Sequence, residues 1–254
     1  MNPLQKTRIF GPFYLFCRFC WRVTHKKHPI YGLENITQQP AVFVGRHQDM
    51  YGPVEMMAWI PMEFRVWTLY RLMDARECYR HFVSYTYTVR RGYHPLVARV
   101  WSAIIAPLVA AFTKSMGGIA VYRGRKEIID TFRQSVKALQ RGESILIMPE
   151  RDYTDNGSDA GDMYNGFIHL AQLYFRATGK ALYFYPVYPS MQDSAIYIEK
   201  PVVFEPSQPF HAERDRVVEA LKKELSRRSI EREFSAVSIN TSADPGEANT
   251  KCEE

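Results

Sequence analysis

Residues 118–148 read GIAVYRGRKEIIDTFRQSVKALQRGESILIM, and this stretch decides the fold. Gly118 to Tyr122 is a short apolar run of strand type. From Lys126 to Gln140, the side chains Ile128, Ile129, Phe132, Val136 and Leu139 recur at helical spacing, and Gly142 stands just past the end, where a left-handed residue closes a helix. Ser144 to Met148 (SILIM) is a second apolar strand, ending at Pro149. A strand, a helix-length crossover and a strand place two strands parallel in one sheet. The same rhythm continues outward. Upstream, Ala41 to Gly45 (AVFVG) is a strand, and Val54 to Trp59, after Pro53, reads as a helix. Downstream, Phe167 to Ala177 is an amphipathic helix closed by Gly179, and Ala181 to Val187 (ALYFYPV) is a fourth strand. Tyr197 to Phe204 is a fifth, which Pro201 makes an edge or a broken strand. Val217, Val218, Leu221 and Leu225 form one stripe of a last helix whose other face is charged. The pattern predicts an α/β domain over residues 31–235, with a mixed, largely parallel sheet flanked by helices. Periodicity ends at Ala236, and residues 236–254 are expected to be a disordered tail.

Composition fits that architecture. The chain has 254 residues, 46% of them apolar and 24% charged, which excludes a collagen-like, a disordered or a disulfide-scaffold protein. Four cysteines in this length, with no small-residue cleavage site after an N-terminal apolar run, point to a reducing compartment on the cytosolic side. The net charge is +6, and the first 33 residues carry Lys6, Arg8, Arg18, Arg22, Lys26 and Lys27 with no acid. Ile9 to Trp21 (IFGPFYLFCRFCW) sets large aromatic residues among those cations. Residues 1–30 therefore read as an aromatic-basic helical segment, either lying in an anionic membrane surface or packed on the domain. The longest uncharged run, Val100 to Thr113, contains Pro107 and as a helix reaches only ~21 Å, short of the roughly 30 Å hydrocarbon core. It is a core helix or an interfacial segment, not a span. Nucleic acid is not an expected partner, because the charges after residue 34 are too mixed to form a basic stripe.

In α/β sheets the chemistry sits on loops at the carboxyl ends of strands. Here the first strand runs into Arg46-His47-Gln48-Asp49, the second into Arg123-Gly124-Arg125, and the third into Pro149-Glu150-Arg151-Asp152. One imidazole and two strand-end arginines make a base with two anion clamps. No G-x-S-x-G or G-x-x-x-x-G-K-[ST] occurs, and the C-x-x-C of Cys17 and Cys20 has no second pair. His47 and Asp49 have no third ligand spaced for a metal, so no metal or cofactor is expected.

Four short blocks in order resemble those of the glycerolipid acyltransferases typified by 1-acylglycerol-3-phosphate acyltransferase. GRHQDMYGPVEM is similar to the block written NHxSxxD and puts His47 in its His position. GGIAVYRG supplies the Gly and Arg of the second block as Gly118 and Arg123. ILIMPERDYT is similar to the F-P-E-G-T-R-S block through Pro149 and Glu150, with Arg151 displaced two positions from the family's Arg. FYPVY, with Pro186, matches the apolar V-P-V strand, and Asn165-Gly166-Phe167 opens a helix as the family's lysine-glycine start does. The resemblance covers Tyr31 to Lys223. Two departures stand out: Gly52 occupies the place of the family Asp five residues after the His, and Asp152 and Tyr153 replace its Thr-Arg.

The resemblance implies transfer of a fatty acyl group from an acyl-CoA, acyl-carrier-protein or acyl-phosphate donor to a lysophospholipid or glycerol-phosphate hydroxyl, in phospholipid biosynthesis at the cytoplasmic face of the cell membrane. His47 would be the general base, with Asp49 or Glu55 replacing the missing Asp as the group that orients its ring. Arg123 resembles the phosphate-binding Arg. Gly118, Glu150 and Arg151 carry over as substrate-binding positions, with Glu150 alternatively fixing its own loop. Asp152 and Asp155 read as turn residues of a long polar loop. A catalytically inactive lipid-binding relative is the second expectation, and an adaptor using only its basic N-terminus is the third.

Overall fold

The computed structural model of the protein describes residues 8–122, 126–150 and 162–241. Arg123, Arg125, Arg151, Asp152 and Asp155 lie outside the described residues.

An eight-stranded sheet forms the centre. Its strands are β1 (Ile30–Tyr31), β2 (Val42–Gly45), β3 (Phe64–Leu69), β4 (Ile119–Val121), β5 (Ser144–Ile147), β6 (Tyr183–Ser190), β7 (Ala195–Ile198) and β8 (Val202–Val203). The order is β1-β7-β6-β2-β5-β3-β4, with β8 also on β6. Strands β6, β2, β5, β3 and β4 run parallel, while β7 and β8 pair antiparallel with β6. The fold is thus α/β with a mixed, mostly parallel sheet. The predicted strand Tyr197–Phe204 is replaced by β7 and β8, which are separated at Pro201, where the missing N–H ends the ladder. The sequence reading had no counterpart of β1 or β3.

Among the described residues seven α-helices accompany the sheet: α1 (Pro12–Thr24), α2 (Tyr51–Trp59), α3 (Ala75–His81), α4 (Pro95–Ser115), α5 (Ile128–Gln140), α6 (His169–Thr178) and α7 (Phe210–Thr241). A π-helical segment, Phe82–Arg90, continues α3. Successive strand residues face opposite sides, and two cores result. Val42, Val44, Ile145, Ile147 and Phe184 pack with α5, α6 and α7. Phe43, Leu146, Tyr185 and Val187 pack with α1 and α2 on the other face. Strands buried on both sides are near-continuous apolar runs, as β2 is and as β5 is after Ser144, whose hydroxyl accepts the Ala41 N–H. Helix α7 continues beyond Ser235 to Thr241, so residues 236–241 are helical and not part of a disordered tail.

Helix α1 belongs to the domain. Phe10 and Tyr14 are buried, and the Tyr14 hydroxyl donates to the Met57 carbonyl at 2.8 Å. Arg18 and Arg22, which the sequence suggested for lipid, turn inward: Arg18 Nε and Nη2 donate to the carbonyls of Ala58 (3.0 Å) and Ile60 (2.9 Å), and Arg22 Nε to Ala58 (2.6 Å). These are the orphan carbonyls at the end of α2, where cations also suit the helix dipole. One face of the described part of the 1–30 segment is therefore packed on α2.

Helix α4 differs from its expectation in length. It absorbs Arg99 and Lys114 and runs 21 residues, about 31 Å. Among the described residues it is the one helix long and apolar enough to cross a bilayer, by length and composition alone.

At the amino ends of the strands, Glu143 is gripped by two arginines. Arg65 donates from Nε (2.9 Å) and Nη2 (3.2 Å), and Arg141 from Nε (3.2 Å) and Nη2 (2.8 Å). Burial alone would raise its carboxyl, but the hydrogen bonds from Arg141 and Arg65 outweigh it and hold the group below the ordinary 4.5. A depressed carboxylate stabilises the fold above that value and loses the contribution as pH falls through its folded pKa. Glu143→Gln should therefore lower unfolding stability at pH 7 by about 2 kcal/mol, of the order found for hydrogen bonds to charged groups. The difference from wild type should shrink toward zero as denaturant melts are taken below pH 4. An unchanged difference at low pH would refute this origin.

Candidate functional site

The order of the strands fixes where a site can form. From β2 the chain moves across to β3 and β4, returns to β5 between β3 and β2, then crosses to β6 on the other side of β2. In open α/β sheets such a reversal is where a ligand crevice is expected, here at the carboxyl end of β2, flanked by the ends of β5 and β6. His47 follows β2 there, and Glu150 follows β5.

The loop carrying His47 is built from buried polar contacts. Arg46 is 1% exposed, and its Nε meets Glu150 Oε1 at 3.0 Å. The other oxygen of Glu150 accepts the His47 backbone N–H at 2.5 Å. One carboxylate thus ties the end of β5 to two successive residues at the end of β2. Glu150 is itself fixed by an antiparallel bridge to Met163, and the Tyr164 N–H bonds the Pro149 carbonyl at 2.8 Å. These contacts give Glu150 the loop-fixing role that the sequence allowed as an alternative.

Beyond His47 the chain turns sharply. Gln48 and Asp49 have φ of +46° and +56°, left-handed values that are uncommon outside glycine. The turn brings the Gly52 N–H to the His47 carbonyl at 3.0 Å and starts α2. It also explains the first departure from the acyltransferase pattern. A Cβ on Gly52 would lie 1.9 Å from the Arg46 carbonyl oxygen and 2.9 Å from that of His47. No side chain fits, and the family's Asp cannot stand there in this loop. Gly52→Asp should therefore not create the missing acid. It should destabilise the fold by about 3 kcal/mol, the upper range for overpacking against backbone, read as a lower denaturant midpoint at unchanged slope. A variant as stable as wild type would show that the loop yields.

Neither expected substitute for that Asp is aimed at His47. The Asp49 carboxylate is half exposed and pairs with Arg90 Nη2 at 2.8 Å, at the end of the π-helical segment. Glu55 is buried in α2 with its oxygen 2.8 Å from His28 Nδ1, a close contact without hydrogen-bond alignment. Burial pushes the Glu55 carboxyl up, and the neighbouring His28 works against that rise. On the far side of the crevice, the Tyr51 hydroxyl donates to the Ser190 carbonyl at 2.9 Å, joining α2 to the end of β6. Burial, with Glu55 and Tyr188 nearby, raises that phenol to about 12, so it stays a donor.

The remaining expected positions divide. Gly118 precedes β4 at the amino end of the strand, whereas His47 and Glu150 follow their strands, so the fold does not bring it together with them. Its role is close packing, since a Cβ would sit 2.8 Å from the Thr113 carbonyl oxygen. β4 is the edge strand, three positions from β2, or ~14 Å across the sheet. Arg123 and Arg151 themselves lie outside the described residues. Sequence reasoning missed two residues beside His47. Arg46 is an interior ion-pair partner, and Gln48 is 4% exposed with an amide oxygen that has no hydrogen-bond partner among the described residues. No local signal marks either, because a polar residue after a strand is most often at the surface.

No protein-family model matches the chain, and no curated protein matches it.

Proposed function

We propose that the protein is an acyltransferase acting on phospholipid precursors at the cytoplasmic face of the cell membrane. His47 takes the proton of an acceptor hydroxyl on a lysophospholipid or glycerol phosphate, and the oxygen attacks the carbonyl carbon of the donor. The C–O ester bond forms as the C–S bond of an acyl-CoA or acyl-carrier-protein, or the C–O bond of an acyl phosphate, breaks. The imidazolium returns its proton to the leaving thiolate or phosphate. Arg123 binds the acceptor phosphate. The observation that carries this reading is the position of His47 at the reversal point of the sheet, on a loop held by the buried Arg46 and Glu150. The order of the four sequence blocks supports it.

A second reading is an inactive relative that still binds lipid. Of the acids expected beside His47, Asp49 is engaged by Arg90 and Glu55 lies against His28, and a side chain at residue 52 would clash with the Arg46 carbonyl. Purified protein given long-chain acyl-CoA, acyl-carrier-protein or acyl phosphate with radiolabelled lysophosphatidate or glycerol phosphate separates the two. Acylated product is expected. Absence of product with every pair, together with retained lysolipid binding, would select the second reading.

A further inference from the structure

Helix α4 is built inside out. The side it turns to the protein, packed largely on α3, carries Ala98, Ser102, Ala106, Ala110 and Thr113, all small and buried. Its outer side carries Val97, Val100, Trp101, Ile104 and Leu108, all exposed. A helix covering the core of a water-soluble protein has the opposite distribution. Alongside it, α1 exposes Phe16, Phe19 and Val23, each more than 60% accessible. The two helices are locked together: Gly11 N–H bonds the Ser115 carbonyl at 2.6 Å, and Phe13 meets the Phe112 ring edge-on at 6.3 Å.

Charge says what covers this face. No Asp or Glu occurs before Glu34, nor between Glu77 and Glu127, and these two acid-free stretches hold α1 and α4. Lys26, Lys27, Arg91, Arg99 and Lys114 are exposed within them. Large apolar groups whose own two stretches carry cations and no acid, with Trp101 and Tyr93 exposed among them, fit the headgroup boundary of an anionic bilayer; the neighbouring acid Asp74, at the start of α3, lies near Lys114.

We infer that the outer faces of α1 and α4 together lie in the plane of an anionic lipid bilayer, and that α4 does not span it. The neighbour of α4 decides the orientation. A crossing α4 would carry its partner α3, with Arg76, Glu77 and Arg80, into hydrocarbon, at several kcal/mol for each charge. This deepens the membrane part of the proposed function and is independent of the chemistry at His47.

The test is flotation of the full chain with phosphatidylglycerol-containing vesicles and with pure phosphatidylcholine vesicles. Wild type should float with the anionic vesicles and lose much of that binding in high salt. The double variants Ile104→Glu/Leu108→Glu and Phe16→Glu/Phe19→Glu, checked for folding by circular dichroism, should each bind at least tenfold more weakly. Equal flotation of these variants, or no flotation of wild type, would overturn the surface. Resistance to alkaline carbonate extraction would overturn the in-plane orientation in favour of a span. Dimers that the variants dissociate, with no vesicle binding, would assign the face to a second copy. Protein that floats but transfers no acyl group keeps the surface and sinks the acyltransferase reading. Protein that acylates soluble short-chain substrates but does not float does the reverse.

Discussion

His47→Ala should reduce acyl transfer at least 100-fold, about 2.7 kcal/mol of transition-state stabilisation, while leaving lysolipid binding and the unfolding midpoint nearly unchanged. Removing a general base ordinarily costs 10²–10⁴ in rate. The Glu150 carboxylate bonds the backbone N–H of His47 and the Arg46 guanidinium, and neither group is removed with the imidazole. The loop should therefore keep its shape. The companion variant Asp49→Asn should stay within about tenfold of wild type, because its carboxylate is half exposed and pairs with Arg90, and exposed pairs contribute at most about 1 kcal/mol. A 100-fold loss in Asp49→Asn would mean that the carboxylate turns to the imidazole during catalysis. Full activity in His47→Ala would end the acyltransferase mechanism stated here.

Glu150→Gln should be the most destabilising change at the site. Arg46 is almost wholly buried, and taking away the charge opposite a buried ion typically costs 3–5 kcal/mol. Urea unfolding should show that loss directly. A double variant, Arg46→Met with Glu150→Leu, separates support of the fold from placement of the base. Replacing both charges by apolar groups of similar size should recover most of the stability. Activity should nevertheless stay low, with kcat reduced more than the KM for lysophosphatidate is raised, because the His47 N–H has lost its acceptor. Recovery of activity together with stability would show that Glu150 serves the fold alone.

Particular residues show how far the sequence could be read. β2, β5 and β6 were legible because both of their faces are buried, so each carries a run of apolar and aromatic side chains, with a buried serine only at the start of β5 and the end of β6. β3 escaped because it alternates, with Phe64 and Val66 buried and Arg65 and Trp67 less so, and the cation at its start masks an apolar element. That cation is tolerated only because Glu143 answers it across the sheet. Helix α4 was read short for a related reason: Arg99 and Lys114 bounded the apolar run, yet both sit on exposed positions that a helix can pass through. His47 could be found from its place after a strand. The pairing of Arg46 with Glu150 could not, since the partners are 104 residues apart and only the sheet order brings them together. The preference of Asp49 for Arg90 is likewise a contact between segments 41 residues apart.

The arginines of α1 that finish α2 make the N-terminal helix a poor candidate for a detachable membrane tether. A chain shortened to begin at Tyr31 would leave the Ala58 and Ile60 carbonyls without donors and open the core where Phe10 and Tyr14 sit. The other end of α2 begins at the His47 turn, through Gly52. Trimming the terminus to solubilise the protein would thus reach the crevice through a single helix of nine residues. Solubility is better sought by recolouring the outer faces with polar side chains than by cutting.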